Sequence, residues 1–173
     1  MVAIVLLFAA AASTGALLSQ RVPDLFGGRG QAPALSGPAV VQDGDTIMVG
    51  GHRIRLHGVD APELDQTCMR SGMAWPCGRE AALALARRVQ GREVSCRGVE
   101  LDRYGRLVAR CSVDGESLNG WLVREGWAVA YRRYSNDYLL EEWTAWWHGR
   151  GLWAGTFDPP EVWRGRGDRP AGW

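Results

Sequence analysis

Short β-prone runs broken by turn formers dominate the central part of this chain and constrain its fold most. Ala39–Val41, Thr46–Val49 and Arg53–Val59 follow one another closely, and Gly50-Gly51 between the last two is a hairpin signal. A loop from Asp60 to Pro76 follows, rich in turn-forming residues. The period then changes. Ala82, Leu85, Ala86 and Val89 recur at helical spacing within Arg79–Gln90, and Gly91 supplies a stop. Strands are expected at Glu93–Arg97 and Leu107–Val113, the second ended by Asp114-Gly115. Ser117 can cap a helix running to about Glu125, with Gly126 beyond its end. A last helix is expected over Tyr138–Arg150, with Leu140, Trp143 and Trp147 on one side. Five strands interleaved with about three helices predict an α+β, mainly β domain: a five-stranded Greek-key barrel of the OB type.

The flanks read differently. Met1 to Gln20 carries no charge and is mostly apolar from Val2 to Leu18, so residues 1–20 are expected to be a secretory signal peptide or short membrane anchor. Residues 2–18 would form any tether. Residues 21–38, rich in glycine and proline, read as a flexible linker, 39–157 as the folded domain and 158–173 as a mobile tail. With an apolar fraction of 46%, the 173-residue chain can bury a core. The net charge is only +1, which excludes a generally basic nucleic-acid coat. All twenty cationic side chains are arginine, a preponderance that fits genome composition better than selection for phosphate.

Four cysteines stand at 68, 77, 96 and 111. There is no Cys-x-x-Cys and the three histidines are scattered, which argues against a zinc site. An even count behind an export-like leader suggests two disulfides in an oxidising compartment. Four cysteines permit three connectivities. Cys68–Cys77, closing one loop, and Cys96–Cys111, linking two strands, is the preferred one. A secreted, periplasmic or cell-envelope location follows as the expectation.

Three separated segments carry the chemistry: Asp43-Gly44-Asp45-Thr46, Arg55-Leu56-His57-Gly58-Val59-Asp60-Ala61-Pro62-Glu63, and Asp102-Arg103-Tyr104-Gly105-Arg106. Carboxylates without histidine or thiolate select a hard cation. A further carboxylate can act on water, and two guanidinium groups can grip a phosphate. That combination suits phosphodiester hydrolysis. Any one segment alone reads as an ordinary turn or a surface ion pair; the three in order do not.

In these segments and their spacing, from about Ala39 to Trp153, the chain resembles the staphylococcal (micrococcal) nuclease family. The resemblance implies an OB-fold barrel and a Ca2+ ion held by Asp45, Asp60 and the main-chain carbonyl of Ala61. It implies catalytic roles for Arg55, Glu63 and Arg106, and nucleotide contacts by Tyr104 and Tyr131. At a second family tyrosine position the chain carries Arg133, with Tyr134 adjacent. The implied activity is calcium-dependent, sugar-nonspecific cleavage of DNA and RNA, with single strands preferred and 3′-phosphate ends left, by a monomer. A non-catalytic OB-fold nucleic-acid-binding or envelope scaffold module is the alternative. All five acidic and arginine positions of the motif are present, which weighs against it. Arg103, Arg110, Arg132 and Arg133 are candidates for a basic rim, and the tryptophans of the last helix are expected in helix packing.

Overall fold

The computed structural model describes residues 34–167; the segment expected to be a signal peptide or anchor, most of the segment read as a linker and the last six residues lie outside that range. Strands β1 (Ala34–Val41), β2 (Thr46–Val49) and β3 (His52–Leu56) run antiparallel in succession. The short strands β4 (Val59–Asp60), β5 (Cys68–Arg70) and β6 (Met73–Trp75) lie between β3 and helix α1 (Cys77–Val89), after which come β7 (Glu93–Leu101) and β8 (Leu107–Val113). β1 pairs with β7, β7 with β8, and β3 closes the circle by pairing parallel to β8. The result is the expected five-stranded closed barrel, which leaves the central strands no free edge.

Alternation fills its interior. Leu107, Ala109, Cys111 and Val113 of β8 and Val94 and Cys96 of β7 point inward with Ile47, Val49, Ile54 and Leu56. Cys96 and Cys111 stand opposite each other in the β7–β8 register and are disulfide-bonded. α1 (Cys77–Val89) closes one side with Leu85 and Val89, and α2 (Leu118–Arg124) another with Leu118 and Leu122. Ser117 caps α2 by accepting the Gly120 N–H at 3.1 Å. Beyond it lie β9 (Glu116–Ser117) on the edge of β8, β10 (Val129–Ala130), α3 (Leu139–Trp147), a 3₁₀ turn at Gly151–Ala154, and α4 (Pro160–Gly167).

Several boundaries differ from the sequence reading, each for a physical reason. β1 starts at Ala34, inside the segment read as linker. Gly37-Pro38 disguised it, but Pro38 stands where β1 passes from β7 to β2. β3 ends at Leu56 rather than Val59, because Gly58 turns the chain at φ +71°. A side chain there would meet the Tyr138 ring at 3.0 Å. Past that turn Val59–Asp60 forms β4, paired with β10. The 60–76 loop contains a hairpin of β5 (Cys68–Arg70) and β6 (Met73–Trp75), and the Cys68–Cys77 disulfide ties it to the start of α1. Part of the segment read as a tail is α4, a fourth helix.

The tryptophan reading is also corrected. Trp143, Trp146 and Trp147 do not pack into the core; they are 57, 56 and 65% exposed. Helical spacing located their common side of α3, but Ala145 and Glu142 occupy the inward one. Among the described residues no helix is long and apolar enough to cross a membrane.

Asn119, fully buried on α2, joins this frame to the segment after β3. Its side chain accepts the Cys111 N–H at 2.9 Å and donates to the carbonyls of His57 (2.9 Å) and Ala109 (3.2 Å). Asn119→Ala strips two buried main-chain groups of a partner, since the Ala109 carbonyl keeps the His57 N–H. The expected loss is about 2–4 kcal/mol. Urea unfolding checks it; a loss within noise would show that water replaces the amide.

Candidate active site

The Asp43–Thr46 turn is built to aim one carboxylate inward. Asp43 accepts the Asp45 N–H at 3.0 Å, and the Asp45 carbonyl accepts the Leu56 N–H at 2.9 Å. Gly44 is required by contact, for a Cβ there would lie 2.6 Å from that of Ala61. This close approach lets Asp45 Oδ2 accept the Ala61 N–H at 2.9 Å. Asp45 and Asp60 are 3 and 1% exposed.

Arg55 lies between them on β3. Its Nη1 pairs with Asp45 Oδ1, and its Nη2 contacts Asp60 Oδ1 at 3.1 Å and the Val59 carbonyl at 3.4 Å. Burial lowers the Arg55 pKa from its ordinary value; Asp60 opposes that and the nearby Arg106 adds to it. Oxygens from two buried carboxylates thus converge on one positive centre. Those donors, with the neighbouring Ala61 carbonyl, are chemically fit for a hard divalent cation. Among the described residues no group of three or more histidine, cysteine or acidic side chains could hold a metal. A cation here would therefore draw its other ligands from main chain, water or substrate.

Glu63 follows on the loop, partly exposed. The sequence reading missed its partner. Arg164 of α4 donates from Nη1 to Glu63 Oε1 at 2.8 Å and Asp60 Oδ1 at 3.0 Å, and from Nη2 to Asp60 Oδ2 at 3.0 Å. Burial opposes the charge on Arg164, but the bonds to Asp60 and Glu63 outweigh it and raise its pKa. Nothing local marks this arginine, one of twenty in the chain and set in a segment rich in glycine and proline. Gln66, fully buried, is a second omission. Its Oε1 accepts the Glu63 N–H at 3.3 Å and its Nε2 donates to the Asp158 carbonyl at 2.8 Å, joining the Glu63 loop to the approach of α4.

Arg106 arrives from the β7–β8 connection. Asp102 accepts the N–H groups of Tyr104 and Arg106, both at 2.9 Å, and the Arg106 Nε–H at 2.7 Å. Among the described residues this leaves the terminal amines of Arg106 without a hydrogen-bond partner. Tyr104 is exposed beside them, its ring under the guanidinium groups of Arg103 (4.8 Å) and Arg106 (5.5 Å). Burial pushes the Asp102 pKa up, but the Arg106 and Tyr104 bonds prevail and hold it below the ordinary value. A depressed carboxylate stabilises the fold above its unfolded pKa of about 3.9 and loses that contribution as pH falls through the lower folded value. The protection of the Tyr104 and Arg106 amides, taken relative to their intrinsic exchange rates, is therefore expected to fall below about pH 4 in wild type, with no such fall in Asp102→Asn. Equal acid sensitivity in the variant would remove Asp102 as the cause.

Asp45, Arg55, Ala61, Glu63, Tyr104, Arg106, Tyr131 and Arg164 line one cleft of about 660 Å³. Asp60 lies behind it, reached through Arg55, and borders a second cleft of about 720 Å³. Tyr131 belongs to both. Tyr134, its ring 4.9 Å from that of Tyr131, lines the first, whereas Arg133 faces the second and pairs with Glu161 at 3.1 Å. Of the expected basic rim, only Arg103 lines the first cleft; Arg110 pairs with Asp137, and Arg132 with Glu142, both at 2.6 Å.

Residues 53–155 match the family model described as "Staphylococcal nuclease homologue". The chain is 41% identical over 129 residues to "Succinoglycan biosynthesis protein ExoI" of Rhizobium meliloti (strain 1021), covering 72% of this chain and 67% of that protein. It is 35% identical over 134 residues to an "Uncharacterized endonuclease" of Escherichia coli O157:H7, covering 73 and 82%. It is 34% identical over 131 residues to "Probable staphylococcal-like nuclease CAN1" of Oryza sativa subsp. japonica, covering 75% of this chain but 37% of that longer protein. α4, with Arg164, follows the segment matched to the family model.

Proposed function

The chain belongs to the staphylococcal nuclease homologues, and from that premise we propose that it is a calcium-dependent, sugar-nonspecific nuclease. It hydrolyses phosphodiester bonds in DNA and RNA, prefers single strands, acts as a monomer and leaves 3′-phosphate ends. One observation carries this reading: Asp45, Arg55, Glu63 and Arg106, distant in sequence, meet at a single open cleft. The endonuclease and nuclease names of relatives support it.

Calcium, held by Asp45, Asp60 and the Ala61 carbonyl, would supply Lewis-acid polarisation of a phosphoryl oxygen. Arg106 presents its free amines to the non-bridging oxygens as charge builds on them. One such preorganised donor is worth roughly 3–4 kcal/mol of transition-state stabilisation. Arg55 spends its amines on Asp45 and Asp60, and Asp60 is paired with Arg164 as well. With the Asp45 carboxylate compensated by the cation, Arg55 would offer its Nη groups to the phosphate. Glu63, its Oε1 held by Arg164, uses Oε2 to orient the attacking water and take its proton. The 5′ P–O bond breaks opposite the incoming oxygen. Tyr104 and Tyr131 flank the cleft and suit base stacking or phosphate contact. Low sequence specificity is part of the proposal.

The two disulfides support an exported protein of an oxidising compartment, secreted or in the cell envelope. Cleavage of an end-labelled single-stranded oligonucleotide with calcium or with EGTA tests the proposal. Calcium-dependent cutting with 3′-phosphate ends is expected, and Asp45→Ala, Asp60→Ala should abolish the calcium stimulation. Undiminished stimulation in that variant would remove the metal assignment. No cutting by the folded, oxidised protein would leave a nucleic-acid-binding module.

A further inference from the structure

α3 presents its apolar side outward. Leu140, Trp143, Trp146 and Trp147 are 79, 57, 56 and 65% exposed, and Leu139 adjoins them. The Trp143 and Trp147 rings stack at 5.6 Å, and Trp146 lies 6.3 Å from Trp147, so the indoles form one contiguous surface. The two acids of the helix are turned away from it. Glu142 is buried, accepting the Ala130 N–H at 2.9 Å and pairing with Arg132, while Glu141 faces α2 at Gly120. The Thr144 hydroxyl donates within the helix to the Leu140 carbonyl at 2.8 Å. The outer face is therefore apolar and uncharged, with indole N–H groups as its polar atoms. A contiguous patch of this kind marks an interaction surface.

We propose that this face of α3 docks on the lipid–water interface of a membrane. Two features select lipid as the occupant. Indoles prefer the headgroup level, where the ring is covered and its N–H stays hydrated, and leucines beside them enter the acyl boundary. The chain also carries an uncharged apolar segment, residues 2–18, that would bring it to a bilayer. That segment and residues 21–33 lie outside the described structure. The fifteen residues between that segment and β1 can reach at most about 54 Å when fully extended. A surface tethered at that range meets the bilayer at an effective concentration on the order of millimolar, enough for a weak patch to stay engaged. Trp146 also borders the second cleft, which shares Tyr131 with the first. Docking would thus set the proposed nuclease site beside the membrane surface. The docking itself rests on α3 and the leader, not on nuclease activity.

The test uses the full chain, residues 1–173, in phosphatidylcholine vesicles with brominated acyl chains, which quench indoles at the interface. Three of the nine tryptophans lie on the α3 face, so emission should fall by up to roughly a third relative to unbrominated vesicles. In Trp143→Ser, Trp146→Ser, Trp147→Ser the remaining indoles should show little quenching, with a cooperative thermal transition confirming that the variant folds. Three results would overturn the proposal. Wild type could show no quenching, the variant could show the same absolute loss, or wild type could be a dimer in detergent that the variant converts to monomer. The last would assign the face to a second copy of the chain.

Discussion

Glu63→Gln lowers the turnover of a saturating single-stranded oligonucleotide by about 10²–10⁴-fold, the usual range for removing a positioned acid–base group. The amide keeps the shape of the side chain and can accept from Arg164, so the loop geometry should persist. It cannot take a proton from water. Because the Glu63 side chain is partly exposed and adds nothing to the core, thermal stability should move little. KM should also change little, since the phosphate grip belongs to the arginines. A fall in kcat alone therefore identifies the chemical role. If KM rose and kcat held, Glu63 would be a substrate contact and the water would need another base.

Arg55→Gln should show two effects of one guanidinium. Without metal, the variant leaves Asp45 buried without its cationic partner, while Asp60 keeps Arg164. Breaking a buried pair by removing one member costs about 3–5 kcal/mol. That corresponds to a fall of roughly 10–15 °C in thermal midpoint for a domain of this size. Saturating calcium should recover much of the loss, because the ion supplies the missing positive charge and binds only the folded carboxylate pair. Activity should stay depressed even then, by about 10²–10³-fold for a lost donor to the phosphate. Melting curves in EGTA and in calcium separate the two effects. Equal destabilisation in both would mean that Asp45 and Asp60 do not bind the ion.

The barrel and the cleft residues were legible to different depths. Asp45 sits in a turn whose geometry is written locally, by an Asx bond at Asp43 and a close approach at Gly44, and Asp60 and Glu63 follow a forced turn at Gly58. Arg106 is likewise fixed by Asp102, four residues away. What escaped is long-range. Arg164 meets Glu63 across a separation of 101 residues, and no local signal separates it from the other arginines. Asn119 reads as an ordinary polar helix residue until its three main-chain partners are seen. The tryptophans show the limit of periodicity. Spacing groups Leu140, Trp143 and Trp147 on one side of α3, but whether that side faces core or solvent depends on what the next element offers.

Arg164 also gives the site a chronology. Synthesis runs from the first strand onward, so Asp60 and Glu63 leave the ribosome about a hundred residues ahead of the guanidinium that bridges them. The last two barrel strands, β7 and β8, are made in the interval. A chain stalled after Phe157 could close its barrel and form both disulfides, yet Glu63 would lack its ion pair and Asp60 would rely on Arg55 alone. The site therefore reaches its full charge balance last, after the scaffold that carries it is complete.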